Sequence, residues 1–137
     1  MFTSKIFHNK LKVRSVADGE IAQSGSWTSI WYDITGWVDL VIAYDLDVGA
    51  GDTNIDTNID VDISSHGAYE LNNSITEDTG DYLTLSIVDA ETTATYKRVD
   101  SDDIDEFKHP ISAIRVVVTN DDADENVAAN IWIEGQS

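Results

Sequence analysis

The chain has 137 residues, a length for one domain, and 42% hydrophobic residues, which is the content of a folded protein and not of an acidic tail. Eight Lys and Arg against 26 Asp and Glu leave a net charge of −18, so a surface that would repel phosphates excludes general nucleic-acid binding. Cysteine is absent, which excludes disulfides and thiolate metal centres.

The charge is unevenly placed. Residues 1–14 hold Lys5, Lys10, Lys12 and Arg14 and no acid, for +4, whereas residues 15–137 carry −22. The opening Met-Phe-Thr-Ser-Lys-Ile-Phe-His has no apolar run of signal-peptide type, and no stretch is long enough to cross a membrane. A basic segment beside an acidic body seeks acidic surface. It is either a first strand (5–14) packed on its own domain or an arm gripping a neighbouring copy.

Period-two alternation then dominates the chain, and helical periodicity is nearly absent. Over 27–34, Thr28, Ile30, Tyr32 and Ile34 make the better core face, which puts Trp27 and Trp31 outward. Outward aromatics are subunit contacts, sugar-stacking platforms or a satellite core under covering loops; a register slipped by one would also explain them. Trp37, after Gly36, is placed to plug the sandwich edge.

The strand 38–46 aligns Val38, Leu40, Ile42, Tyr44 and Leu46 on one face. After it, Asp45, Asp47 and Asp52 alternate with glycines in the manner of a calcium loop, but the EF-hand pattern fails because the later acids and the closing Glu are missing. A strand end followed by a glycine turn accounts for the segment; loosely held Ca, Mg or Na is the alternative, and no other cofactor is implied. The strand 55–63 turns Ile55, Ile59, Val61 and Ile63 inward and sets Asp56, Asn58, Asp60 and Asp62 on a face that must be solvated. One wet face argues for an antiparallel sheet.

Strands follow at 82–88 and 92–99. A short helix at 102–108, capped by Ser101 and with acids in its first turn, ends at Pro110, the sole proline. Strands at 111–119 and 126–134 complete the set. The last turns Val127, Ala129, Ile131 and Ile133 inward and Asn130, Trp132 and Glu134 outward. About eight strands at regular turn spacing define a single all-β domain, an antiparallel β-sandwich or jelly roll with one short helix.

No catalytic constellation emerges. His8, His66 and His109 are scattered and lack zinc-ligand spacing. Ser65 and His66 are chain neighbours, whereas triads are assembled from separate segments. Carboxylate pairs follow from composition alone. Abundant Asp with sparse Lys suits a hypersaline solvent, where the Debye length shrinks to about 3 Å.

The run Asp33-Ile34-Thr35-Gly36-Trp37-Val38-Asp39-Leu40-Val41-Ile42, followed by a long alternating strand, resembles the small β-sandwich virion proteins of tailed viruses. So does Ile111–Asn120 with its polar turn and a final strand ending at Gly135. With the acidic composition, the resemblance implies a non-enzymatic structural protein of a virus of halophilic archaea, such as a head decoration, vertex or tail component. It would be located in the virion and assemble with itself and other virion proteins. Lys5, Lys10, Lys12, Arg14, Trp27, Trp31 and Trp132 are the expected contacts. The alternative is a carbohydrate-binding module, or a virion protein that touches host glycans, with Trp27, Trp31 or Trp132 as platforms.

Overall fold

The computed structural model describes residues 8–48, 56–73, 82–91, 96–100, 102–122 and 126–137. It is an antiparallel sandwich of two sheets. The first has the strand order β1-β9-β4-β7, from β1 (His8–Arg14), β9 (Val127–Gln136), β4 (Val38–Val48) and β7 (Tyr96–Val99). The second runs β2-β8-β5-β6, from β2 (Ser26–Thr28), β8 (Ala113–Asn120), β5 (Thr57–Ser64) and β6 (Leu83–Glu91), with β3 (Tyr32–Asp33) also on β8. Lys5, Asp52, Ile55 and Ser101 lie outside the described residues.

Alternation builds the core directly. Leu40, Ile42, Tyr44 and Leu46 of β4, Ile59, Val61 and Ile63 of β5, and Val127, Ala129, Ile131 and Ile133 of β9 are all buried between the sheets. Each fully buried aliphatic side chain contributes roughly 1.5–3 kcal/mol, so these three strands supply much of the driving force. Phe107, fully buried on a 3-10 turn (Asp105–Lys108), joins the same core.

The structure departs from the alternating pattern where strands bulge or break. Val38 is exposed because Asp39 takes φ +52° and the β4–β9 register shifts between Val38 and Val41. In β6 the register shifts opposite Ile59 and Asp60, which brings Val88 to the buried position, while Leu83, paired with Ile63 on this edge strand, is 52% exposed.

The predicted strand 27–34 is two short strands. Between them the Ser29 N–H donates to the Val116 carbonyl while the Ser29 hydroxyl accepts the Val116 N–H, both at 2.9 Å. The chain leaves β8 there. In consequence Ile30, expected in the core, is 63% exposed, whereas Trp31 keeps its expected place on the outer side of the sheet but is covered there and only 3% exposed.

The predicted helix 102–108 is a turn followed by the short 3-10 segment. Asp100 holds the turn: its Oδ1 accepts from the Asp102 N–H at 2.9 Å, and its own N–H donates to Asp103 Oδ2 at 3.2 Å. An α-helix absent from the sequence reading, α1 (Ala68–Asn73), packs near β3. Trp37 is half-buried against the core, and a Cβ added to Gly135 would meet its ring at 3.1 Å. That close approach is why glycine stands at position 135 of β9.

Candidate interaction surface

The outward face of the first sheet is read row by row from its register. Lys12, Trp132, Ala43 and Arg98 form one row across β1, β9, β4 and β7; Lys10, Glu134 and Val41 form the next. Ala43 is small, so the side chains of its two neighbours close over it, and it is buried. The Arg98 Nη1 reaches diagonally across to Glu134 Oε2 at 2.6 Å. Lys10 Nζ lies 3.7 Å and His8 Nε2 3.6 Å from Glu134 Oε1. Glu134 is therefore a buried carboxylate surrounded by basic side chains from both edges of the sheet.

Both Lys10 and Lys12 place their ammonium groups 5.3 Å from the centroid of the Trp132 ring. Cation–π contacts of this kind are worth about 0.5–1 kcal/mol where exposed and ~2 kcal/mol when desolvated. The outward placement of Trp132 agrees with the alternation of β9, although the ring is half-buried beneath the two lysines.

The remaining expected contacts among the described residues are buried or covered. Arg14 follows a register shift in β1 and is buried; its Nη2 donates to the Gly19 carbonyl at 2.9 Å and its guanidinium lies 4.7 Å from the Trp27 ring. Trp27 packs half-buried against the core. Trp31 lies with Ala113 on the outer side of the second sheet, but Ala68 and Leu71 of α1 and Tyr82 cover it as a satellite cluster. The Trp31 and Tyr82 rings meet edge to face at 5.8 Å, and the Arg115 guanidinium sits 4.7 Å and 5.0 Å from the two rings.

Asn72 of α1 secures this lid. Its Oδ1 accepts from the Trp31 N–H and its Nδ2 donates to the Trp31 carbonyl, both at 3.0 Å. One carboxamide thus stands in for the missing strand partner where the chain has left β8. The satellite core was among the readings of an outward Trp, but Asn72 carries no sequence signal.

The acidic face of β5 is not wholly solvated. Asp62 is buried; its Oδ2 accepts from Arg115 Nε at 2.7 Å and its Oδ1 from the Thr84 hydroxyl at 2.6 Å. The sequence reading treated all the acids of this strand alike, because Arg115 is brought opposite Asp62 only by the β5–β8 register.

Among the described residues, no group of three His, Asp or Glu side chains could hold a metal ion. Asp45 is half-buried on β4 opposite Asn130. His66 lies 4.0 Å from Glu70, and its N–H donates to the Ser64 hydroxyl. A shallow cavity of about 240 Å³ lies nearby, lined by Ile63, Ser64, Ser65, Tyr82, Leu83, Pro110 and Ile111. No described helix is long and apolar enough to cross a membrane.

These features define an all-β protein of two antiparallel sheets, in which Trp27, Trp31 and Trp132 carry cations of the same chain. No family model and no curated protein sequence matches the chain. Among solved structures, it is similar to a chain of the T=1 particles derived from infectious bursal virus, with TM-score 0.55 and 10% identity. It is also similar to the VP2 subviral particle of infectious bursal disease virus, with TM-score 0.50 and 10% identity. Each likeness covers 96% of this chain but 32% of the other, so this chain spans about a third of the length of those proteins. At that identity the likeness is one of fold: the β-sandwich found in these viral capsid proteins.

Proposed function

We propose that this chain is a non-enzymatic structural component of a virus particle that assembles with copies of itself or with neighbouring shell or tail proteins. The observation that carries the reading is the likeness to particle-forming viral chains over 96% of this sequence. The finer reading, a tailed virus of halophilic archaea, is supported by the −18 charge and by the resemblance of residues 33–42 and 111–135 to small virion proteins. On that reading the acidic surface remains hydrated in brine while salt screens repulsion between neighbours.

The glycan alternative is weakened by the positions of its three platforms. Trp31 is buried, Trp27 lies under Arg14, and Trp132 has two ammonium groups against its ring. A sugar would have to displace these cations before stacking.

The test is light scattering after size exclusion, with negative-stain microscopy, on the full chain at 0.15 M and 2 M NaCl. Self-association into defined particles or rings supports the reading. A strict monomer at all concentrations up to about 0.5 mM in both salts, with binding on a glycan array, overturns it. Deleting residues 1–14 is unsuitable, because it strips β1 from β9; point variants are required.

A further inference from the structure

We propose that two copies join edge to edge through β6, the uncharged stretch Tyr82–Ser86 of one pairing antiparallel with the same stretch of the other about a twofold axis at Thr84. The inference rests on the assembly reading above and names the contact.

A sheet edge offers unpaired N–H and C=O groups to any strand that reaches it, and edges are protected by lysine, by bulges or by brevity. Among the described residues, three of the four edges of the sandwich are protected in this way. β1 carries exposed Lys10 and Lys12 and a register shift before Arg14. β7 has four residues, with Lys97 and Arg98 exposed. β2 and β3, which share the edge along β8, have three and two residues. The fourth edge, β6, has nine residues, and residues 82–88 include no charge and no proline. Leu83, Thr84 and Ser86 are exposed on it.

The pattern of this edge suits a copy of itself. Leu83-Thr84-Leu85 reads the same in both directions. Antiparallel pairing about Thr84 therefore sets Leu83 against Leu85 of the second copy and Thr84 against Thr84, apolar and hydroxyl cross-strand pairs that stabilise a sheet. Tyr82 then faces Ser86. The seam stops there, because Ile87 is bulged: Ser86 pairs with Asp60 while Val88 pairs with the adjacent Ile59. Asp89 and Glu91 lie past the bulge, outside the seam.

Two further features favour this edge. Asp62, opposite Thr84 on β5, is neutralised by Arg115, so the carboxylate beside the axis does not repel the second copy. The cavity of about 240 Å³ lies at the start of the seam, where Tyr82 and Leu83 meet Ile63, Pro110 and Ile111. It offers an apolar seat to Leu85 of the second copy. Five residues make a seam about 17 Å long, too small for the roughly 800 Å² per partner that a standard interface buries. The pair consequently forms at high protein concentration. The seam contains no ion pair, so salt tightens it by screening the two −18 bodies. Its twofold is isologous and joins the two second sheets into one.

Sedimentation velocity on the full chain, up to about 0.5 mM in 0.15 M and 2 M NaCl, is expected to show association through a dimer that tightens with salt. L83K and S86K, both at exposed positions, give this edge the lysine that β1 carries, and each should weaken dimerisation at least about tenfold. K12E, on the opposite side of the molecule's other sheet, should leave it unchanged. Near-UV circular dichroism identical to wild type confirms that each variant is folded. Because the chain has no cysteine, T84C places its only thiol on the twofold, where opposed Cβ atoms lie roughly 4.5–5.5 Å apart. Air oxidation should give a covalent dimer of T84C that reductant reverses, and none of K12C. If the wild type associates and both L83K and S86K retain its full oligomeric mass, the β6 seam is overturned and the assembly reading stands. Cross-linking of T84C no faster than of K12C overturns the twofold at Thr84. A strict monomer in both salts overturns the seam, and together with binding on the glycan array it overturns the assembly reading as well.

Discussion

Tyr32 and Asp33 are neighbours on β3 whose ionisation equilibria shift in opposite directions. Burial, reinforced by the negative charge of Asp18, pushes the Tyr32 phenol above its ordinary value near 10. The folded state thus holds that proton more tightly than the unfolded chain does. Its contribution to stability is complete below pH 10 and is lost as pH rises from 10 through the raised value. Tyr32→Phe should therefore flatten the alkaline limb of the stability curve, measured by urea unfolding between pH 9 and 11; an unchanged limb would exclude the phenol as its source. The Asp33 carboxylate accepts the Thr35 N–H at 2.9 Å and is held below its usual range by that bond. Its small, solvent-screened contribution is present above the ordinary carboxylate value and is lost as pH falls below it. Asp62 concerns burial instead of titration. Asp62→Ala leaves the Arg115 guanidinium without its counter-ion among Trp31 and Tyr82, which should cost about 3–5 kcal/mol. Against a total of about 5–15 kcal/mol, the urea midpoint should fall by about a fifth or more. The double variant Asp62→Ala/Arg115→Met should recover part of the loss, because it removes the stranded charge as well.

At the level of elements, α1 shows how six residues can stabilise a sheet they do not join. Replacing Asn72 by Ala removes both hydrogen bonds to Trp31 and strands its N–H and C=O under the lid. A loss of about 1–2 kcal/mol is expected from two part-buried backbone groups left without this partner. Asn72→Asp, which keeps the acceptor but not the donor, should fall between Ala and wild type in the same unfolding measurement. If Ala and Asp lose equally little, the carboxamide is not the strand substitute. This element also marks the boundary of what the sequence discloses. β4, β5, β8 and β9 were legible because a two-residue period cannot slip without turning every apolar side chain to water, as Leu40 to Leu46 and Val127 to Ile133 show. The break at Ser29–Trp31 was not, since it depends on Ser29 bonding Val116, 87 residues away. The helix Ala68–Asn73 is too short for a 3.6-residue period to be read, and it is fixed by tertiary contacts with Trp31. The interaction surface was half legible: Lys10, Lys12 and Trp132 follow from alternation, whereas Arg14 is redirected by the shift in β1 register and Trp31 by its lid.

For the whole molecule, a charge of −18 acts on every copy whether or not it assembles. Packed into a domain with a radius of gyration of roughly 14 Å, like charges raise the free energy of the compact state relative to the expanded chain. The described ion pairs offset little of this globally, because Arg98, Lys10 and His8 converge on a single carboxylate, Glu134, and Arg115 is committed to Asp62. Salt should consequently stabilise the fold even before assembly is considered. Between 0.01 M and 1 M NaCl the Debye length falls from about 30 Å to about 3 Å, from about twice the radius of gyration to a small fraction of it. A gain of at least about 1 kcal/mol over that interval is expected, which corresponds to a rise in Tm of roughly 3–5 °C for a domain of this size. Measuring Tm over a range of protein concentrations as well separates the two effects of salt: the intramolecular gain should persist at the lowest concentration, where association is absent. Sodium sulfate at equal ionic strength should raise Tm further, since excluded anions also strengthen apolar burial. A Tm that is flat in NaCl at every protein concentration would mean that the acidic surface is no burden to the fold, and the argument for adaptation to brine would lose its physical basis.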